Sequence, residues 1–399
     1  MRKKTLRDLA ARDGDRIVVR VDFNVPLLDG RVMDDTRVEH TLPTLRRLTA
    51  TGARLVLLSH LGRPGGRPRP ELSLRPVAAR LGELLGEDVR FSPRTAGPET
   101  LARARALAPG EILVAENTRF LEGETGNDAE LAATFAALGD HFVNDAFGTA
   151  HRAHASTAGL ALAMRARGGE AVAGLLLERE IRVLGEALDS PGRPFVAVLG
   201  GAKVSDKIAV IEKMLARADR VLVGGAMANT FFRALGLETG RSLVDEEGVD
   251  LAARLMDRAG DRLMLPVDCV VAPRIDAVTT TREVPRAEVG AEDRIGDIGS
   301  ASRRLFAGEL EQARTIVWNG PVGVSEMPPF AAGTAAVARS VAVATASGAL
   351  TIAGGGDSAA AVRAAGLADA FTHVSTGGGA SLAFLAGKTL PGVEALSDA

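Results

Sequence analysis

Four glycine-rich stretches stand beyond residue 198, each behind an apolar run: Leu199-Gly-Gly-Ala-Lys-Val-Ser-Asp-Lys207, Val223-Gly-Gly-Ala-Met-Ala-Asn229, Ile352-Ala-Gly-Gly-Gly-Asp-Ser358 and Val374-Ser-Thr-Gly-Gly-Gly-Ala-Ser381. Glycine lets a ligand approach the backbone, and a following helix offers free N–H groups and the positive end of its dipole. A single Gly-Gly pair is more often only a tight turn. Four in one half of the chain point to a nucleotide or phosphate site. Lysine usage points the same way. The chain has 42 Arg but only 6 Lys, and three of these, Lys203, Lys207 and Lys213, fall within eleven residues. A compact ammonium suits a phosphoryl group in transit. Lys203 and Lys207, four apart at the start of an expected helix over 207–216, can face one pocket. Lys213 reads as a solvated helix position.

The first half carries a different constellation: Arg20-Val-Asp-Phe-Asn-Val-Pro26, Arg37, Ser59-His-Leu-Gly-Arg-Pro64, Asn117-Thr-Arg-Phe120 and Asn144-Asp-Ala-Phe-Gly-Thr-Ala-His-Arg-Ala-His154. Arg37, His60, Arg63, Arg119, Arg152 and His154 can converge at the carboxyl edge of one sheet. Such a cluster suits a small, multiply charged anion held by charge-assisted hydrogen bonds. His151 and His154 lack the Cys or carboxylate pattern of a metal site, and His40, His141 and His373 read as structural. Two familiar nucleotide motifs are missing. No GxGxxG opens the first βα unit. Gly387-Lys388-Thr389 imitates the end of a P-loop, but Leu382 stands where the first glycine belongs, so a helix C-terminus before Pro391 is the better reading.

The elements that must position these residues follow from periodicity. Apolar runs at 16–21, 54–59, 111–115, 195–199, 220–223, 262–265, 315–318 and 350–353 alternate with helical patterns at 41–51, 73–86, 128–138, 207–216 and 248–259. That alternation predicts βαβ units with parallel sheets, and about a dozen strands are too many for one sheet. The fold class is therefore α/β with two domains. A long amphipathic helix over 172–189, with Leu177, Ile181, Leu184 and Leu188 on one stripe, separates them and ends at Ser190-Pro191-Gly192. Composition narrows the class further. A formal net charge of -2 draws the chain to neither nucleic acid nor membrane. The lone Cys269 fits a reducing compartment and reads as a buried strand residue. Residues 1–16 contain no apolar signal segment, so a cytoplasmic protein is expected.

Taken together, RVDFNVP, SHLGRP, NDAFGTAHRAH, GGAKVSDK and STGGGAS resemble the motifs of the phosphoglycerate kinase family in order and spacing, from about residue 5 to about residue 394. The resemblance implies two Rossmann-like domains: residues 1–171 for phosphoglycerate, the helix 172–189, residues 190–380 for nucleotide, and a segment 381–399 returning to the first domain. It implies contacts to phosphoglycerate from Asp22, Phe23, Asn24, Arg37, His60, Leu61, Gly62, Arg63, Arg119 and Arg152. The nucleotide would meet Lys203, Lys207, Asn319, Glu326, Gly355, Gly356, Asp357 and Ser358, with Glu326 on the ribose and Asp357 on Mg2+. Arg37, Lys203 and Lys207 would be catalytic. The implied reaction is reversible transfer between 1,3-bisphosphoglycerate and ADP. With the two sites on different domains, direct transfer requires closure, for which hinges are expected near 172–190 and 375–391. The long interdomain helix and the lack of an identifiable apolar patch make a monomer the expectation. Ser325, Thr118 and the run Asp293-Arg294-Ile295-Gly296 depart from the family pattern without removing a charged group.

Overall fold

Short Val, Ile and Leu runs with both faces covered become parallel strands, and the computed structural model, which describes residues 3–399, contains two sheets built from them. The first has six strands in the order Val89–Ser92, Ile112–Ala115, Arg54–Leu58, Arg16–Arg20, His141–Asn144 and Ala171–Ala173, all parallel. The second runs Leu263–Met264, Arg220–Val223, Phe195–Leu199, Thr315–Asn319, Leu350–Gly354 and His373–Val374, again all parallel. An antiparallel sheet of Asp268–Ala272, Arg282–Pro285 and Arg294–Ile298 accompanies the second, an element the periodicity does not announce.

Each large sheet belongs to its own compact unit. One runs to Arg182 and takes in Thr389–Ala399; the other is Val183–Lys388. These limits differ from the expected ones in two places. The chain at 171–173 is a strand, so the long helix starts at Leu175 and ends at Asp189, and the division between units falls inside it. Residues 381–388 stay with the second unit because the helix Gly379–Leu385 packs on Ile208–Leu215. Gly387, at φ +74°, then closes that helix, with its N–H on the Phe384 carbonyl; the P-loop imitation is a C-terminal cap. The last residues are tied into the first unit by Lys4 N–H to the Ser397 carbonyl (2.8 Å) and Asn144 Nδ2 to the Gly392 carbonyl (2.9 Å).

In open α/β sheets ligands gather beyond the carboxyl ends of the strands. In the first unit, 21–26, 59–64, 116–120 and 145–154 leave four neighbouring strands at that edge. In the second, 200–207, 224–229, 320–326, 355–358 and 375–381 do the same.

The long helix starts where it does because its first N–H groups are capped from a distance. Thr44 Oγ1 accepts from Leu175 N–H, and Asp145 Oδ1 accepts from Leu176 N–H (2.9 Å) and Leu177 N–H (3.2 Å). Asp145 is sealed, and burial pushes its carboxyl up to about 6 in spite of those bonds. A carboxyl raised on folding stabilises most below its unfolded pKa, and that stability is lost as pH rises through the folded value. Against Asp145→Asn, which never ionises, the parent should therefore lose on the order of 1–3 kcal/mol between about pH 4 and pH 6. Paired denaturation curves across that window check this; a relative stability that rises with pH contradicts it.

Candidate active site

In the first unit a charge network assembles from four loops. Arg37 Nη1 donates to Asp22 Oδ2 (2.8 Å), and His60 Nδ1 lies 3.8 Å from Asp22 Oδ1. Asn24 Oδ1 accepts from Gly62 N–H (2.8 Å), and Arg119 Nη1 donates to the Gly62 carbonyl (2.7 Å). Asp22, Asn24, Arg37, His60, Gly62 and Arg119 are thus brought together. Phe23 and Leu61 contribute backbone only, because their side chains lie in the apolar core; Phe23 N–H is held by Ser59 Oγ. Arg63 and Arg152 are exposed, and Arg152 Nε donates to His151 Nε2 (3.0 Å).

Behind these residues sits one the motif reading did not single out. Arg20 ends the strand Arg16–Arg20 and is wholly buried. Its Nε donates to Ser156 Oγ (2.9 Å), its Nη1 to the Val21 carbonyl, and its Nη2 meets His60 Nδ1 at 3.2 Å. Ser156 is fixed in turn by Glu124 through its hydroxyl and its N–H. Asn117 organises the neighbouring loop: its Oδ1 accepts from Leu61 and Arg119 N–H, and its Nδ2 donates to the Leu61 and Leu72 carbonyls. Arg20 and Asn117 each head one of the loop motifs, but the sequence shows neither their burial nor their partners; Ser156 and Glu124 carry no sequence signal.

The electrostatics are those of a site short of anions. Burial pushes Arg119 down to about 10, and Arg20 and Arg152 push it the same way. His154 falls to about 4 from burial and the same arginines, and burial with its cationic neighbours holds His60 well below the usual histidine range. Arg119 Nε and His154 Nδ1 are sealed without a hydrogen-bond partner. An incoming anion meets several cationic groups for which the nearby carboxylates, Asp22 and Glu124, are too few.

In the second unit Lys207 is the focus. Its Nζ donates to the Gly200 carbonyl (2.5 Å) and to Asn319 Oδ1 (2.8 Å). Asn319 is buried at a strand end and anchored through Nδ2 to the Gly354 carbonyl. Burial lowers Lys207 to about 8, although Asp357 and Asp206 pull the other way. Gly320, at φ +94°, is required here: a Cβ would sit 2.2 Å from the Gly200 carbonyl oxygen and 2.8 Å from Lys207 Nζ. Ser358 Oγ takes the Gly320 N–H (2.6 Å). Gly355 precedes the helix Gly356–Ala364, whose first turn exposes Gly356 and Asp357.

Lys203 departs from expectation. The helix begins at Ile208, so Lys203 lies outside it, exposed beside Asp245, while Lys207 turns inward. The spacing of four did not place the two in one pocket. Beside Lys207 opens a cleft of about 570 Å³, mostly apolar, with Gly201, Ala202, Gly225 and Val324 on its walls and Ser325, Glu326 and Asp357 among its polar groups. Asp297 borders it, buried and pushed up to about 7 while it accepts from Ile298 and Gly333 N–H. Cys269 lies in the same wall, its thiol raised by burial to about 12, as an inert strand residue would be.

Comparison with known proteins shows the family. The profile of the phosphoglycerate kinase family matches residues 6–388. A phosphoglycerate kinase of Chloroflexus aggregans is 53% identical over 405 residues, with all of both chains covered. The solved structure of phosphoglycerate kinase from Coxiella burnetii superposes with a TM-score of 0.88 at 40% identity, and that from Pyrococcus horikoshii with 0.85 at 34%, each covering 98% of both chains. With two parallel α/β sheets, an arginine and histidine cluster on one and a lysine-centred glycine cleft on the other, the chain belongs to the phosphoglycerate kinase family.

Proposed function

We propose that this chain catalyses the reversible transfer of a phosphoryl group between 1,3-bisphosphoglycerate and ADP, the glycolytic reaction of its family, with phosphoglycerate on the first unit and nucleotide on the second. The observation that carries the division is the surplus of buried cationic groups around Asp22, set against the glycine-walled cleft beside Lys207. Asp22, Asn24, Arg37, His60, Arg63, Arg119 and Arg152 hold the phosphoglycerate, with the backbone of Phe23, Leu61 and Gly62 shaping the loops. The apolar cleft takes the base, Glu326 the ribose, and Asn319 with the N–H groups of Gly355–Ser358 the phosphate end. Lys203, exposed at the mouth, adds long-range attraction for the nucleotide.

In the forward direction the acyl-phosphate P–O bond breaks as an oxygen of the ADP β-phosphate bonds to the same phosphorus. The carboxylate leaves with its electron pair. Carboxyl pKa values of about 3–4 mean that no proton has to move, so no general base is needed. The protein's work is alignment and neutralisation of charge on the three equatorial oxygens. Lys207 faces the moving group from the nucleotide side, and Arg37 does so from the phosphoglycerate side. Asp357 fits a Mg2+ that is carried by nucleotide phosphates, since such ions are commonly held by one or two carboxylates and the phosphates themselves. When bound, the ion neutralises phosphate charge. Direct transfer needs the two substrates to meet, which places hinges at the helix Leu175–Asp189 and near 375–391. No helix among the described residues is long and apolar enough to cross a membrane; a monomer in the cytoplasm completes the reading.

A coupled assay of ATP-dependent phosphorylation of 3-phosphoglycerate tests the assignment. Arg37→Ala should lower kcat by about 10²-fold or more, as loss of a transition-state donor does, and Lys207→Ala should cost at least as much. A change confined to KM in Arg37→Ala would reduce Arg37 to a binding group. The lowered Lys207 pKa gives a second test. Its charge is present below about 8 and lost above it, so kcat/KM for ATP should bend downward above that pH in the free enzyme. Lys207→Arg should abolish the bend; a bend that survives in that variant would assign it to another group.

A further inference from the structure

A guanidinium has five donors and no acceptor. The 3.2 Å contact between Arg20 Nη2 and His60 Nδ1 is therefore a hydrogen bond donated by Arg20, and Nδ1 must present its lone pair. The alternative tautomer would aim an Nδ1–H at a cation. Arg20 cannot swing away, because its Nε is held by Ser156 and its Nη1 by the Val21 carbonyl. Asp22 Oδ1, 3.8 Å from the same nitrogen, is beyond hydrogen-bond length, and the other oxygen of that carboxylate is taken by Arg37.

The remaining charged or titratable groups that act on the ring are Arg119 and Arg37, both cationic, and His154, itself held low. With burial they keep the imidazole uncharged. Nε2 has no protein partner among the described residues, yet it does not belong with the sealed orphan atoms of this cluster, Arg119 Nε and His154 Nδ1. The ring's one proton therefore sits on the nitrogen that remains open.

We propose that Arg20 is a positioning residue that locks His60 in its neutral Nε2–H tautomer, so that His60 gives bound phosphoglycerate a fixed N–H donor for an anionic oxygen. The ligand half of this proposal rests on the reading of the cluster as the phosphoglycerate site; the tautomer does not. The arrangement has a chemical logic. Arg37, Arg119 and Arg152 already supply charge, and a neutral donor adds direction without further repulsion among cations. It also holds its protonation state constant across the physiological range, where an ordinary histidine would titrate.

The full chain labelled with 15N-histidine tests it. Long-range 1H–15N spectra distinguish the two ring nitrogens, and the loss of one ring's signals in His60→Gln assigns His60. A protonated Nε2 and a bare Nδ1, unchanged from about pH 6 to 8, are expected before any ligand is added. A proton on Nδ1, or an imidazolium in that range, overturns the proposal. In Arg20→Lys a single-headed ammonium cannot span Ser156, the Val21 carbonyl and Nδ1 together, so the ring should become a mixture of tautomers; a ring unchanged there removes Arg20 from the role. Kinetics supply an independent arm. The glutamine amide can reach the position of Nε2 and the asparagine amide that of Nδ1. Thus the phosphoglycerate KM of His60→Asn should exceed that of His60→Gln by about tenfold, the worth of one well-placed hydrogen bond. A glutamine variant no better than the asparagine one overturns the donor role. A parent that shows Nε2–H but binds no 3-phosphoglycerate would instead refute the ligand assignment.

Discussion

A guanidinium with no access to solvent, that of Arg20, is the constraint on which the phosphoglycerate pocket depends. Burying a charge costs several kcal/mol unless its hydrogen bonds are met by good geometry. Here three sets of donors find Ser156, the Val21 carbonyl and His60. Val21 continues the segment that Arg20 itself begins, His60 lies in the loop after the strand Arg54–Leu58, and Ser156 in the helical turn Ala155–Gly159. Satisfying one arginine therefore fixes these segments relative to one another, and the network around Asp22, Arg37 and His60 inherits that order. Removing a single partner would leave a sealed cation unsatisfied, which is why the cluster stands or falls as a unit.

The nucleotide side answers a similar problem with an ammonium. Lys207 is drawn in among backbone oxygens and Asn319, and its pKa falls because water is excluded. A lysine close to losing its proton is poorly solvated by its surroundings, so an approaching phosphate restores what burial removed. Glycine at 320 lets the Gly200 carbonyl and Lys207 crowd into one place. The two units thus follow one rule: cations are placed beyond the strand ends with fewer anions than they need, and the substrates make up the difference.

Much of this was legible in the residue order. Parallel sheets follow from the alternation of apolar runs with helices, and the glycine junctions and Arg/His loops lie at strand ends where the pattern puts them. What escaped has physical causes. The strand Val89–Ser92 is interrupted by Arg90, and 282–285 and 294–298 are mixed with charged residues, so none of these shows an apolar run. The strand 268–272 does carry one, which fits the strand reading of Cys269, but its antiparallel partners give no such signal. Lys203 was paired with Lys207 on helical spacing, but the helix starts at Ile208, and spacing means nothing outside a helix. Asn117 shapes its loop through carbonyls 45 and 56 residues away, a relation that no local pattern contains. Arg20 was visible as an arginine in a motif, whereas its burial and its grip on His60 exist only in three dimensions.

The division of substrates between the two units is the central claim, and residue-resolved hydrogen exchange on the intact chain tests it most directly. Saturating 3-phosphoglycerate alone should protect 21–26, 59–64, 117–120 and 145–154 while leaving 200–207, 319–326 and 355–358 as they are in the free protein. MgADP alone should do the reverse. Protection of the lysine and glycine loops by 3-phosphoglycerate, with the arginine and histidine loops unchanged, would contradict the account.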